Sequence, residues 1–223
     1  MKINIYNTGV ISFIIQILIQ IIDTYALLKK TDASMNFIKE LLWIEYTVNI
    51  IEGMFYIWMI RSIDIVKNIT SHRYMDWIFS TPIMLFTFIA YSIYLNDNIN
   101  NIVQYKHVSE IVKTEYFWIS IILLLNWTML LFGYLTEIDY IGVYTGVFLG
   151  FIPFILMFYI MFIKYVELNS QSFLIFKYVV FFWSLYGVAA LLPYNAKNIM
   201  YNILDLFSKN IFSLFLAYII LSQ

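Results

Sequence analysis

Residues 204–220 read LDLFSKNIFSLFLAYII, an apolar run that holds Asp205 and Lys209 four residues apart. In a helix that spacing puts the acid and the amine on one face, one turn apart. A charged side chain at bilayer depth costs about 3 kcal/mol on insertion scales. Lys209 lies in the middle of its run, so it cannot easily snorkel to the interface. An ion pair linking helices is one use for these residues, but a buried pair rarely gains net stability over apolar replacements. Chemistry offers a better reason. A buried lysine amine forms Schiff bases with aldehydes. A protonated Schiff base is a fixed cation and needs a carboxylate beside it, which Asp205 supplies.

A second stretch suits the same chemistry. Residues 73–82 read RYMDWIFSTP. Asp76 is another acid, Arg73 lies three residues before it, and Trp77 and Thr81 are one helical turn apart. A second carboxylate, a balancing guanidinium and a flat aromatic wall fit a long conjugated cation. Taken alone, Arg73 and Asp76 read as markers of a membrane boundary.

The elements that must position these groups are membrane spans. Of 223 residues, 62% are hydrophobic and 12% charged, against about 25% charged in soluble domains. Seven runs reach the roughly 20 residues a spanning helix needs: about 9–28, 36–60, 74–95, 116–136, 140–164, 172–193 and 198–221. Charges and turn formers separate them, in KKTDAS, SIDIVKNITSH, NDNINN…KHVSEIVKTE, TEID, VELNSQ and PYNAK. With no water to satisfy the backbone, the runs must be helices. The expected fold class is an all-α membrane protein, one seven-transmembrane-helix bundle over residues 1–223. No cleavable signal peptide is evident and no attached soluble domain is expected. Lys29, Lys30, Lys39, Lys106, Lys113, Lys164 and Lys177 on one side, against Lys2, Arg61, Lys67, Arg73 and Lys197 on the other, favour an outside N-terminus. The sequon Asn68-Ile69-Thr70 then lies outside and is read as an unmodified loop. The net charge of −1 gives no footprint for nucleic acid, and with no Cys there are no disulfides or thiolate sites. His72 and His107 fall far apart in predicted loops, so neither a metal site nor an enzyme is expected.

Polar residues also recur at helical spacing inside three runs. Ser12, Gln16, Gln20 and Asp23 form one stripe, Glu45, Asn49 and Glu52 a second, and Asn198, Asn202, Asp205 and Lys209 a third. Interhelical hydrogen bonding accounts for some of these, at about 0.6 kcal/mol each. Unpaired acids such as Glu45 and Glu52 cost more, and generally face a bundle interior or a water-filled path. Carboxylate-lined paths favour cations.

RYMDWIFSTP in the third run and Asp205-x-x-x-Lys209 in the seventh together resemble the microbial (type 1) rhodopsins. That family places R-Y-x-D-W-x-x-T/S-T-P on helix three and D-x-x-x-K on helix seven. Trp183-Ser184-Leu185-Tyr186 looks like its W-S-x-Y pocket motif, and Asn126, Met129 and Gly133 match its helix-four pocket spacing. The resemblance implies all-trans retinal inside the bundle, bound to Lys209 as a protonated Schiff base. It implies Asp76 and Asp205 as counterions balanced by Arg73, Tyr56 and Tyr186 as donors to Asp205, and Trp77 and Trp183 on either side of the polyene. Thr81, Met129 and Gly133 complete the implied pocket. Helix five yields no pocket assignment. Ala190 and Gly187 depart from the family's helix-six aromatic and Pro.

The pump pattern is also incomplete. The helix-three position that commonly holds a proton-donating acid is Thr87, giving Asp76, Ser80, Thr87. Asn195 and Lys197 stand where outward pumps keep paired release glutamates. Ser12, Gln20, Glu45, Glu52, Arg73, Asn195, Asn198 and Asn202, with Asn49 on the same face, resemble the ion path of the group 1 viral rhodopsins of giant algal viruses. Light-gated cation channels occur in that group. The resemblance therefore implies a light-gated cation channel in a lipid bilayer, with cations and protons as its cargo and a homo-oligomer as its assembly. The alternatives are an outward proton pump using Asp76 as acceptor and a photosensor acting through a membrane partner.

Overall fold

The computed structural model describes residues 4–100, 107–167 and 169–223, with side chains omitted at 98–100. Lys2 and Lys106, used above for orientation, lie outside the described residues. Helices α1 (Ile5–Leu28), α2 (Asn36–Ser62), α3 (Ile69–Asn100), α4 (Val108–Glu137), α5 (Val143–Met161) and α6 (Ser170–Ala190) are followed by α7 (Tyr194–Asp205) and α8 (Ile211–Leu221). A π-helical turn, Leu206–Asn210, joins α7 to α8 into a seventh rod, and a second one, Phe162–Val166, extends α5. Six of the seven rods are long and apolar enough to cross a membrane. The exception is α2, whose apolar run is diluted by Glu45, Asn49 and Glu52. The bundle is an integral, multi-pass membrane protein.

Consecutive helices pack side by side, and α7 and α8 return to α1 to close the ring. Its polarity is inverted relative to a soluble bundle. Large apolar side chains such as Leu18, Ile21, Met54, Phe79, Leu124 and Phe148 are exposed, whereas Gln16, Asp23, Glu45, Glu52, Arg73 and Lys209 are buried. In α1 the inward stripe is Ile5, Gly9, Ser12, Gln16, Ile19, Asp23 and Ala26, so the polar residues lie on the face turned from lipid. The central element is α3, with 61% of an apolar 18-residue stretch buried, against 11% for α6.

Local chemistry sets the helix ends and kinks. Asn4 Oδ1 accepts the Asn7 N–H at 2.7 Å and caps α1. Asn68 Oδ1 accepts from Ser71 N while its Nδ2 donates to the Glu137 carbonyl at 2.8 Å, so the sequon amide is engaged in structure. Pro82 has no N–H to give the Ile78 carbonyl; the Trp127 indole donates to that carbonyl instead, at 3.0 Å. Where α4 turns into α5, Asp139 takes a φ of 59°, a conformation Asp tolerates better than most residues. Gly146 lets these two helices touch, since a Cβ there would overlap Thr136 Oγ1 and lie 3.2 Å from the Phe132 carbonyl.

Several boundaries differ from the sequence reading. α3 starts at Ile69 rather than 74, so His72 is helical and not in a loop. α4 starts at Val108 rather than 116, its first N–H bonded to Glu40 Oε2 at 2.8 Å. The run read as 140–164 begins its helix at Val143, and α6 stops at Ala190, short of 193.

Candidate functional site

Lys209 is 1% exposed and sits within the π turn, between Ser208 and Asn210. A π turn widens the helix by one residue per turn and is frequent at functional sites. Its ammonium bonds Asp76 Oδ2 and lies 3.8 Å from Asp205 Oδ1. Two acids therefore stand beside one amine. Asp205 is held by four groups. Tyr56 donates to Oδ2 at 2.9 Å, Tyr186 donates to Oδ1 at 2.7 Å, and Arg73 Nη1 lies 3.2 Å from Oδ2. With Lys209 these make two cations against two carboxylates, a balanced set that a buried site requires.

Arg73 extends the network toward the end of the bundle that carries the N-terminus. Its Nε donates to Asn198 Oδ1 at 3.2 Å, and its Nη2 bonds Asn202 Oδ1. The guanidinium also lies 5.5 Å from the Phe55 ring centre and 5.6 Å from that of Tyr201. Asn202 Nδ2 reaches α1, donating to the Ile5 carbonyl at 3.1 Å and Thr8 Oγ1 at 2.9 Å, while Ser12 Oγ donates to the Asn202 carbonyl at 2.8 Å. Asn198 donates to Thr70 Oγ1 at 2.8 Å.

Toward the opposite end, the polar positions of α2 bond α1, α3 and the seventh rod. Glu52 Oε2 accepts from Asn210 Nδ2 at 3.2 Å. Asn49 Nδ2 donates to Asp23 Oδ2 and Ser213 Oγ, each at 3.1 Å. Glu45 Oε1 accepts from Thr87 Oγ1. Around this column several buried polar atoms have no protein partner: both amide atoms of Gln16, Asp23 Oδ1, Glu45 Oε2, Asn49 Oδ1, Glu52 Oε1 and Asn210 Oδ1. Gln20 is only half-buried. Asn195 does not join the network. It is exposed in the first turn of α7, because the helix begins at Tyr194 and turns this position outward.

A mostly apolar cavity runs from Lys209 across the bundle. Trp77, Thr81, Met129, Gly133, Trp183 and Tyr186 line it, and Asn126 stands behind Thr81, donating to its hydroxyl at 2.8 Å. The sequence did not reveal its α5 wall of Gly150, Phe151 and Phe154, nor Tyr74, Met84, Tyr201 and Ser208. Phe151 explains one departure noted above. At Gly187, where the resemblance implies Pro, a Cβ would lie 2.6 Å from the ring of Phe151, which itself lines the cavity, so a side chain there would displace that ring. Lys197, read as standing where pumps keep release acids, bonds Glu137 at 2.7 and 2.9 Å across α7 and α4. A buried primary amine at one end of an aromatic-walled cavity, with two carboxylates beside it, fits a conjugated aldehyde.

Comparison with known proteins agrees with this geometry. The model of the bacteriorhodopsin-like protein family matches residues 7–223. Among solved structures, the chain is similar to the viral rhodopsin OLPVRII, at 24% identity, a TM-score of 0.83 and coverage of 98% of each chain. It is similar to the blue light-absorbing proteorhodopsin from Med12, at 18% identity and a TM-score of 0.75, covering 98% of this chain and 97% of that one. It is also similar to the proton-pumping rhodopsin AR2 of the marine alga Acetabularia acetabulum, at 17% identity and a TM-score of 0.71, covering 98% and 96%. Among curated proteins none matches the sequence.

Proposed function

The chain belongs to the bacteriorhodopsin-like protein family, and from that premise we propose that it is a retinal photoreceptor acting as a light-gated cation channel, with its N-terminus outside. Retinal held by Lys209 as a protonated Schiff base supplies light absorption and isomerisation. The cavity from Trp77 to Trp183 orients it, and Asp76 and Asp205 hold the positive charge at Lys209 Nζ in place.

The residues around Lys209 couple that charge to the polar column. Asp76 Oδ2 contacts Nζ directly, so it is the group that takes a proton from that nitrogen. A neutral Asp76 and a neutral nitrogen leave Asp205 facing Arg73 alone, and Arg73 is the plug between Asn198 and Asn202. Asn210 follows Lys209 in the chain and holds Glu52, so displacement at Lys209 pulls on the α2–α7 contact. The observation that carries the channel reading is the column of orphaned buried atoms on Gln16, Asp23, Glu45, Asn49, Glu52 and Asn210. Such atoms call for water, and a carboxylate-lined hydrated route favours cations.

Whole-cell voltage clamp under illumination tests this. A cation-selective path gives a photocurrent whose reversal potential moves by up to about 60 mV per tenfold cation gradient. Lys209→Ala abolishes both the visible band and the current. A visible band that survives Lys209→Ala refutes the chromophore assignment. One observation favours a second reading, an outward proton pump. Glu45 contacts Thr87, the position where pumps carry a donor acid, so an α2 carboxyl stands in its place. That reading predicts outward current persisting against the gradient.

A further inference from the structure

Between α2 and α3 a groove opens on the side of the bundle and ends at Asp76. Met54, Phe55 and Trp58 of α2 and His72, Met75 and Asp76 of α3 line it. Asp76 spends one oxygen on Lys209; the other, Oδ1, is buried without a hydrogen-bond partner. His72 is exposed and lies one turn before Asp76 on the same helix. Its ring stacks on Trp58 with centres 4.9 Å apart. Its Nδ1 lies 3.0 Å from the Asn68 carbonyl. A carbonyl only accepts, so Nδ1 carries the hydrogen and Nε2 keeps its lone pair free.

We infer that the α2–α3 groove is a proton port for Asp76, with His72 as the relay at its mouth. The inference rests on the reading of Asp76 as proton acceptor for Lys209. Asp76 lines the inner end of the groove and the His72 imidazole its mouth, so water entering the groove meets a polar residue at each end. The protonated Asp76 passes its proton to that water, and the water passes one to His72 Nε2. The imidazolium then gives its proton to bulk water and returns to the neutral ring. Only O–H and N–H bonds form and break. The α2 wall contributes only uncharged side chains to the groove. On α3, Arg73 is turned inward onto Asn198, Asn202 and Asp205, which leaves Asp76 as the titratable group sharing the groove with His72.

The first test needs no chromophore. The chain has no cysteine, so Asp76→Cys in retinal-free protein offers a single thiol to a small charged methanethiosulfonate. Labelling proceeds through the groove, and adding Met54→Trp slows it at least about tenfold. Equal labelling rates overturn the port. In the pigment, a pH-indicator dye follows proton appearance on the N-terminal side after a flash. His72→Ala delays it at least about tenfold, and external imidazole restores it. An unchanged rate, or a delay that imidazole does not shorten, overturns the relay. A visible band that survives Lys209→Ala instead sinks the parent reading, leaving the labelling result to stand on its own.

Discussion

Asn195 and Asn202 lie on the same helix, and the resemblance to the viral rhodopsins implied both for the ion path; the structure separates them sharply. Asn202 donates to Ile5 O and Thr8 Oγ1 and accepts from Tyr56 at 3.3 Å and from Arg73. Asn195 is exposed and makes no side-chain hydrogen bond among the described residues. In a membrane protein three neutral bonds at about 0.6 kcal/mol each sum to roughly 2 kcal/mol. The charge-assisted bond to Arg73 adds about 2 more. Asn202→Ala therefore costs about 4 kcal/mol. If half of that appears in the unfolding barrier, the pigment is lost about thirtyfold faster. Asn195→Ala stays within about twofold of the parent protein. The assay is decay of the visible band in the dark at a fixed elevated temperature. Two variants that bleach within twofold of each other would refute Asn202 as the hub joining α1, α2, α3 and α7.

Glu52→Gln keeps an acceptor for Asn210 and removes the charge, so the divalent-to-monovalent permeability ratio falls while the visible maximum stays in place; photocurrents in paired solutions decide it. Glu45→Gln slows recovery of the protonated pigment by at least about tenfold if Glu45 is the internal donor, and flash spectroscopy reads that rate directly. Gly146→Ala destabilises by about 1–3 kcal/mol through overpacking against Thr136 and the Phe132 carbonyl. The added substitution Thr136→Ala recovers much of that loss in thermal melts.

The charged centre was legible because its signal is local. Asp205 and Lys209 lie in one turn, RYMDWIFSTP lies on one helix, and an ionisable group in an apolar run is expensive enough to announce itself. The α5 wall was not legible, since a helix apolar on all sides has no periodicity to mark its inner face; Gly150 and Phe151 look like their lipid-facing neighbours. The helix starts were missed because charge was equated with loop. Asn68 caps α3 and Glu40 meets the first N–H of α4, and both contacts are made by residues the span counting treated as separators or as another run. The Glu137–Lys197 pair joins positions far apart in the chain, so no spacing rule could find it. Neither π turn carries a sequence signature.

The turn at Leu206–Asn210 also sets the reading frame of everything after it. In an ordinary helix each residue adds about 100° of rotation. Were this turn wound as an ordinary α-helix with the same residues, the eleven residues of α8 would swing by that angle relative to α7. Ser213 would then leave Asn49, and Leu216, Ala217 and Ile220 would rotate out of the core toward lipid. The extra residue is a phase adjuster. It lets Asp205 and the amides of α7 and the apolar seam of α8 face the same interior, so the register of the whole C-terminal helix rests on this one turn.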